Sequence, residues 1–226
     1  VNATTTPWRR LAPVAICAIL AIVGAYGVGA PWLHWVFKPA TTLALAALVA
    51  ASAPVEPAYR LAVLAGLLLS TVGDVFLMLP GDWFVFGLAS FLVAHIAYLV
   101  AFTRRAGLFA RRWPFALYAA FAAIVAGVLW PDLPDGLHAP VGVYVVVLAA
   151  MAAQALAVWR VRPDAATACA ALGGAFFVAS DATLAIDRFV APFDAARCVV
   201  LATYWIAQAL IALSVVRSAL PQARRA

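Results

Sequence analysis

Charge is what this sequence has least of. Only 11% of its 226 residues are Asp, Glu, Lys or Arg, whereas an ordinary soluble domain carries about one-quarter. With 67% hydrophobic residues and a mean hydropathy of +1.04, too little polar surface remains to cover a water-soluble globule. Cysteine is scarce as well. Cys17, Cys169 and Cys198 sit in apolar runs without metal-ligand spacing, which argues against a thiolate metal centre and predicts three small buried hydrophobes. Short alternating apolar and polar segments are missing, and that excludes a transmembrane β-barrel. The net charge of +6 comes from residues scattered between apolar runs, not gathered in a patch, so no nucleic acid partner is expected.

What is present is a series of apolar runs reaching about 20 residues, the length at which an α-helix crosses a hydrocarbon core of about 30 Å. The expected fold is all-α: a polytopic membrane helix bundle forming one integral membrane domain over residues 1–226. Eight transmembrane helices are predicted near 11–30, 37–53, 59–80, 83–103, 113–130, 138–159, 165–186 and 196–217. The loops between them are short and leave no room for an extramembrane domain. Pro80 and Gly81 in "PGDW" make the break between the third and fourth spans. The first apolar run, which follows Arg9 and Arg10, is longer than a signal-peptide core and lacks a cleavage site, so it is expected to be retained.

Basic residues set the orientation. Arg9, Arg10, Arg60, Arg104, Arg105, Arg111, Arg112, Arg160, Arg162, Arg217, Arg224 and Arg225 fall on one side of the predicted bundle, and only Lys38, Arg188 and Arg197 on the other. This bias predicts both termini in the cytoplasm, in a multi-pass protein of the cell membrane. Trp8, Trp32, Trp35, Trp83, Trp113, Trp130 and Trp159 lie near span ends, where an interfacial aromatic belt is expected. Asp82, Asp132, Asp135, Asp187 and Asp194 fall in or near loops and read as solvated charges.

Two acids have no such explanation. Asp74 in "LLLSTVGDVFLML" and Asp181 in "GGAFFVASDATLAI" interrupt apolar runs. Each lies about 15 residues, or about 22 Å, from the cytoplasmic end of its helix. Ionisable groups inside a membrane are costly and usually face a cavity or a pathway, so both are candidate functional residues. Ser70 shares a helical face with Asp74, and Gly73 permits close helix approach. Phe84, Gly87, Phe91, His95 and Tyr98 form one stripe of the fourth span. Phe177 shares the face of Asp181, with Ser180 beside it, while Tyr204 and Gln208 are four residues apart in the eighth span. Lys38, the only lysine, lies near the predicted depth of the acids, where it either snorkels or meets an anionic head group.

The ordered elements "FKP", "STVGDVFLML", "FVFGLASFLVAHIAYLVAF", "VYVVVLAAM", "GGAFFVASDATLAI" and "TYWIAQALI" resemble the YhhN-like family, the lysoplasmalogenases, from about Lys38 to Leu213. The resemblance implies an integral membrane ether hydrolase. Such an enzyme cleaves the sn-1 vinyl ether of lysoplasmalogens to a fatty aldehyde and glycerophosphoethanolamine or glycerophosphocholine. The family's polar positions carry over to Lys38, Ser70, Asp74, His95, Tyr98, Ser180, Asp181, Tyr204 and Gln208.

Hydrolysis of a vinyl ether begins with protonation of its β-carbon, and water captures the resulting oxocarbenium ion. It therefore needs a proton donor and a carboxylate, as glycoside hydrolysis does. Asp74 and Asp181 are expected to supply that pair, with His95, Tyr204 and Gln208 orienting water and the ether oxygen. Lys38, Ser70, Tyr98 and Ser180 would hold the polar part of a lysophospholipid, and Phe84, Phe91 and Phe177 its chain, which would arrive laterally from surrounding membrane lipids. No cofactor is expected. Zinc held by Asp74, His95 and Asp181 is a competing reading with a thin ligand set. A proton-coupled small-molecule or lipid transporter using the paired acids is the alternative function.

Overall fold

The computed structural model describes residues 11–27, 30–53 and 56–218. Among these residues the chain forms eight α-helices and no strand. They are α1 (Ala12–Ala25), α2 (Trp32–Ala50), α3 (Pro57–Phe76), α4 (Phe84–Arg105), α5 (Trp113–Leu129), α6 (His138–Val161), α7 (Ala165–Phe189) and α8 (Ala196–Ser218). Seven of them, α2 to α8, are long and apolar enough to cross a membrane.

Where boundaries differ from the expectation, local chemistry accounts for it. The 14 residues of α1 rise only about 21 Å, because the chain turns at Tyr26 and Gly27, the latter at φ +69°. α2 begins at Trp32 instead of residue 37 and runs straight through Pro39. A proline removes one ladder bond, and neighbouring helices make that tolerable inside a membrane. α3 ends at Phe76, four residues early, and the turn into α4 uses Gly81 at φ +98°, a conformation glycine adopts at little cost. α7 continues to Phe189. Its start is fixed by a capping box in which Asp164 accepts from the Ala166 and Thr167 amides at 2.8 Å each.

Most helices pack against their neighbours in sequence, as short loops require. Two departures shape the interior. α4 packs on α6, passing over α5, and α8 returns to touch α1, α2 and α3 as well as α7. α8 is accordingly the most buried helix and α5 the least, lying against α6 with few other contacts. Large apolar side chains such as Ile16, Ile19, Leu43, Ile124 and Val146 point outward, as lipid-facing residues should. Trp32, Trp35, Trp83, Trp113 and Trp130 are exposed near helix ends, and Trp159 is half-buried near the end of α6. Of the cysteines, Cys169 is buried and Cys17 half-buried. Cys198 departs from the expectation and is exposed, because it sits on the outer face of the first turn of α8.

The two ends of the bundle differ. At one end Arg105 is buried: its Nε bonds Glu56 at 3.0 Å and its guanidinium lies 3.5 Å above the Tyr59 ring. Arg162 donates to the Arg105 carbonyl, and Arg60 to the Ala50 and Ser52 carbonyls. At the other end Arg188 pairs with Asp82 at 3.0 Å and Arg197 bonds the Ala25 carbonyl. The structure thus separates Arg60, Arg105 and Arg162 from Arg188 and Arg197, as the sequence predicts. Trp8, Arg9, Arg10, Arg224 and Arg225 lie outside the described residues.

α3 and α4 meet without a gap at Gly66. A methyl group there would lie 2.2 Å from a ring carbon of Tyr98, and Tyr98 is itself held by a 2.7 Å bond to Gln208 on α8. Overpacking of this kind costs about 1–3 kcal/mol. Gly66→Ala should therefore lower the thermal midpoint of the detergent-solubilised protein by several degrees. An unchanged midpoint would mean that the Tyr98–Gln208 contact does not hold the ring in place.

Candidate active site

Asp74 sits two residues before the end of α3, on the face turned toward α2 and α8. Its carboxylate is almost fully buried. Oδ2 accepts from the Thr42 hydroxyl of α2 at 2.9 Å and from the Tyr204 hydroxyl of α8 at 2.8 Å. Lys38 Nζ lies 3.6 Å from Oδ1. Lys38 and Thr42 are one helical turn apart on α2, so that helix presents an ammonium and a hydroxyl to the same carboxylate. Lys38, expected either to snorkel or to meet an anionic head group, stands as the buried counter-ion of Asp74 at the wall of the cavity described below.

Asp181 is placed differently. It is half-buried on α7, accepts one hydrogen bond, from the Tyr144 hydroxyl of α6, and among the described residues has no cationic partner. The sequence offered two equivalent acids. The structure distinguishes them by their company.

Both acids line one cavity of about 450 Å³, together with Lys38, Tyr144, Ser180 and Tyr204. Phe84 and Phe91 contribute to its apolar wall. A second cavity of about 600 Å³, almost wholly apolar, lies between α5 and α6, and Ala122, Leu129, Val141, Val145 and Ala149 border both spaces. These residues form a wall common to the polar site and a hydrocarbon-lined volume.

Several expected site residues stand behind this cavity and do not line it. His95 is completely buried, with Phe177 edge-on at 4.5 Å and Tyr144 at 5.3 Å, and neither ring nitrogen has a protein partner. Phe177 is buried between His95 and Tyr204 and takes no part in the wall. Tyr98 donates to Gln208 Oε1, whose Nε2 is left without a protein partner; Ser70 is buried nearby on α3. Ser180 does line the cavity, but its hydroxyl donates to the Val200 carbonyl at 3.0 Å and ties α7 to α8. Asp74, His95 and Asp181 do not converge on a common point. Among the described residues no three His, Cys, Asp or Glu side chains are placed to hold a metal ion.

Sequence reasoning passed over Thr42, Tyr144, His34 and Arg197, all of them partners of the acids or part of the cavity wall. Thr42 could have been found from its four-residue spacing to Lys38. Tyr144, the one polar side chain in "VYVVVLAAM", carried a signal only once its helix was known to face Asp181. Arg197 was read as a topological charge.

The profile of the YhhN family matches residues 33–215, a stretch that contains both acids and every partner described above. The chain belongs to that family. Lysoplasmalogenase TMEM86A of Homo sapiens is 35% identical over 169 residues, covering 69% of this chain and 65% of that protein. The Mycobacterium bovis protein named lysoplasmalogenase is 36% identical over 187 residues, 79% of this chain and 70% of its own. The uncharacterized membrane protein YhhN of Escherichia coli O157:H7 is 28% identical over 208 residues, 92% and 98% of the two chains. The chain thus spans just under two-thirds of the human relative's length. No solved structure matches it. Its membrane-length helices and these relatives make it a multi-pass membrane protein.

The Lys38–Asp74 pair makes a direct test of this geometry. Removing one partner of a buried ion pair leaves an uncompensated charge and costs about 3–5 kcal/mol. Lys38→Met should destabilise the protein by an amount of that order in a thermal or denaturant titration. The double variant Lys38→Met/Asp74→Asn should recover most of the loss, because it removes both charges. A single variant as stable as the parent would show that the pair is not formed.

Proposed function

We propose that the protein hydrolyses the sn-1 vinyl ether of a lysoplasmalogen, releasing a fatty aldehyde and the glycerophospho-head group. The observation that carries this reading is the unlike company of two acids on one cavity. Asp74, with an ammonium and two hydroxyl donors around it, is suited to remain a carboxylate. Asp181, with a single tyrosine donor and no cation, is suited to hold a proton. The names of the human and mycobacterial relatives support hydrolysis over the proton-coupled transporter.

In the proposed reaction Asp181 gives its proton to the β-carbon of the C=C bond, and positive charge develops on the ether oxygen and its neighbouring carbon. The Asp74 carboxylate, held in place by Lys38, Thr42 and Tyr204, faces that charge from the other part of the cavity. Preorganised charge of this kind costs no reorganisation during the reaction. Water adds to the cationic carbon and surrenders a proton to Asp181, which regains its starting state. The hemiacetal then collapses, its hydroxyl proton passing to the glycerol oxygen as the C–O bond breaks. Tyr144 orients Asp181 through their hydrogen bond, and Tyr204 does the same for Asp74. His95, Tyr98 and Gln208 form the packed layer that positions these tyrosines. The hydrocarbon chain lies along Phe84, Phe91 and the apolar wall that α5 lends to the same cavity.

Purified protein given a lysoplasmalogen in D2O should release an aldehyde with one deuterium on the carbon next to the carbonyl, and should leave the acyl-ester analogue intact. Asp181→Asn should lower kcat by about 10²–10⁴, the contribution usual for a general acid, and Tyr144→Phe by less. Full activity in Asp181→Asn would remove it from the reaction. Release of aldehyde from neither substrate by folded protein would overturn the whole assignment.

The arginine distribution supports placing both termini in the cytoplasm, with the turn between α3 and α4 outside. In a cysteine-free background, a cysteine at Gly81 should react with an impermeant maleimide on intact cells. One at Arg111 should react only after lysis. The opposite pattern would invert the topology.

A further inference from the structure

Three basic side chains line the same cavity as the acids without belonging to the acid cluster: His34 of α2, Arg188 of α7 and Arg197 of α8. Their positions along the helices agree. Arg188 lies seven residues beyond Asp181, and Arg197 seven residues before Tyr204, the partner of Asp74. Each interval is about 10 Å of helix rise. His34 precedes Thr42 by eight residues, about 12 Å. All three therefore stand at one level, toward the end of the bundle where α7 turns into α8.

Their free donor capacity differs. Arg188 is partly engaged, with Nη2 on Asp82 at 3.0 Å and its guanidinium 4.1 Å above the Phe84 ring. His34 Nδ1 lies 3.0 Å from the Ala21 carbonyl, so that nitrogen carries the hydrogen, and Nε2 can donate to an anion only when the ring is protonated. Arg197 donates to the Ala25 carbonyl and among the described residues has no acidic partner. One acid, Asp187, shares this part of the wall, and its Oδ1 accepts from the Phe193 amide at 3.1 Å. A guanidinium has five donors in a planar fork that matches phosphate oxygens. Using one on a carbonyl leaves Arg197 able to engage an anion bidentately. Lys38 is unsuited to this task, being occupied by Asp74.

We infer that Arg197, flanked by Arg188 and His34, is the subsite for the phosphodiester of the substrate's head group. The inference rests on the lysoplasmalogen reading above. In such a lipid the phosphate and the vinyl ether are carried on the two ends of one glycerol. Holding the phosphate at the arginine level therefore places the ether a short distance deeper, between the acids. Whatever lies beyond the phosphate points out of the cavity, so the site selects for the phosphodiester and not for the amine attached to it.

The test compares kcat/KM for a 1-alkenyl-glycerophosphoethanolamine with that for the neutral 1-alkenylglycerol, which has the same ether and no phosphate. In Arg197→Gln the ratio of the two should fall at least tenfold, chiefly through a raised KM for the phosphorylated lipid. Arg197→Lys, which keeps the charge but loses the fork, should fall at least threefold and is the variant to read if Arg197→Gln does not accumulate. A ratio within twofold of the parent's in the variants overturns the inference. A parent protein that cleaves neither lipid overturns the underlying hydrolase reading instead.

Discussion

A lysine and an aspartate buried against each other hold the centre of this molecule. Neither charge belongs in a membrane alone, since desolvating an ion costs several kcal/mol even after relaxation. Lys38 and Asp74 offset that cost only where α2, α3 and α8 all meet, because the hydroxyls of Thr42 and Tyr204 complete the carboxylate's coordination. The pair therefore fixes the register of three helices at once. It helps explain why α8, last in the sequence, runs through the middle of the bundle and not along its edge. The same contact holds a carboxyl group at a defined position on the cavity wall, so architecture and the site's polar geometry share one cause.

Around that point the site is layered. The polar groups that line the cavity are the carboxyls of Asp74, Asp181 and Asp187, the hydroxyl-bearing Tyr118, Tyr144, Ser180 and Tyr204, and basic side chains that include three toward one end. Behind them stands a packed aromatic and amide layer made of His95, Tyr98, Phe177 and Gln208. The second layer touches nothing that could react, yet it sets the directions of Tyr144 and Tyr204. Small residues allow this density. Gly66 lies against the Tyr98 ring, and a side chain at Gly73 would collide with Phe91.

Long apolar runs made the helix count legible, and the isolated acids Asp74 and Asp181 announced a site, because both signals are local. A run of twenty apolar residues has one economical conformation in a bilayer, and a lone carboxylate within it has few innocent explanations. Pairing between helices was not legible. That Lys38 serves Asp74 depends on how α2 is placed against α3 and α8, which the spacing of polar residues along α2 alone does not state. For the same reason the sequence did not show that His95 packs among rings, or that Tyr144 reaches Asp181. The ends of α1 and α3 were misjudged where apolar residues continue past the helix, Tyr26 ahead of the Gly27 turn and Leu77, Met78 and Leu79 ahead of the Gly81 turn.

α5 leans on α6 and on little else. For the other helices, protein contacts on several sides define a position. For α5 one side is supplied by protein and the rest by the surrounding acyl chains, whose packing sets how firmly it is pressed inward. The wall it contributes to both cavities is then governed by bilayer lateral pressure as well as by sequence. Unsaturated, loosely packed lipids would let the apolar space widen, and stiff saturated ones would compress it. The same polypeptide in two membranes would present two different chambers to a hydrocarbon chain, and the lipid environment becomes part of the definition of the site.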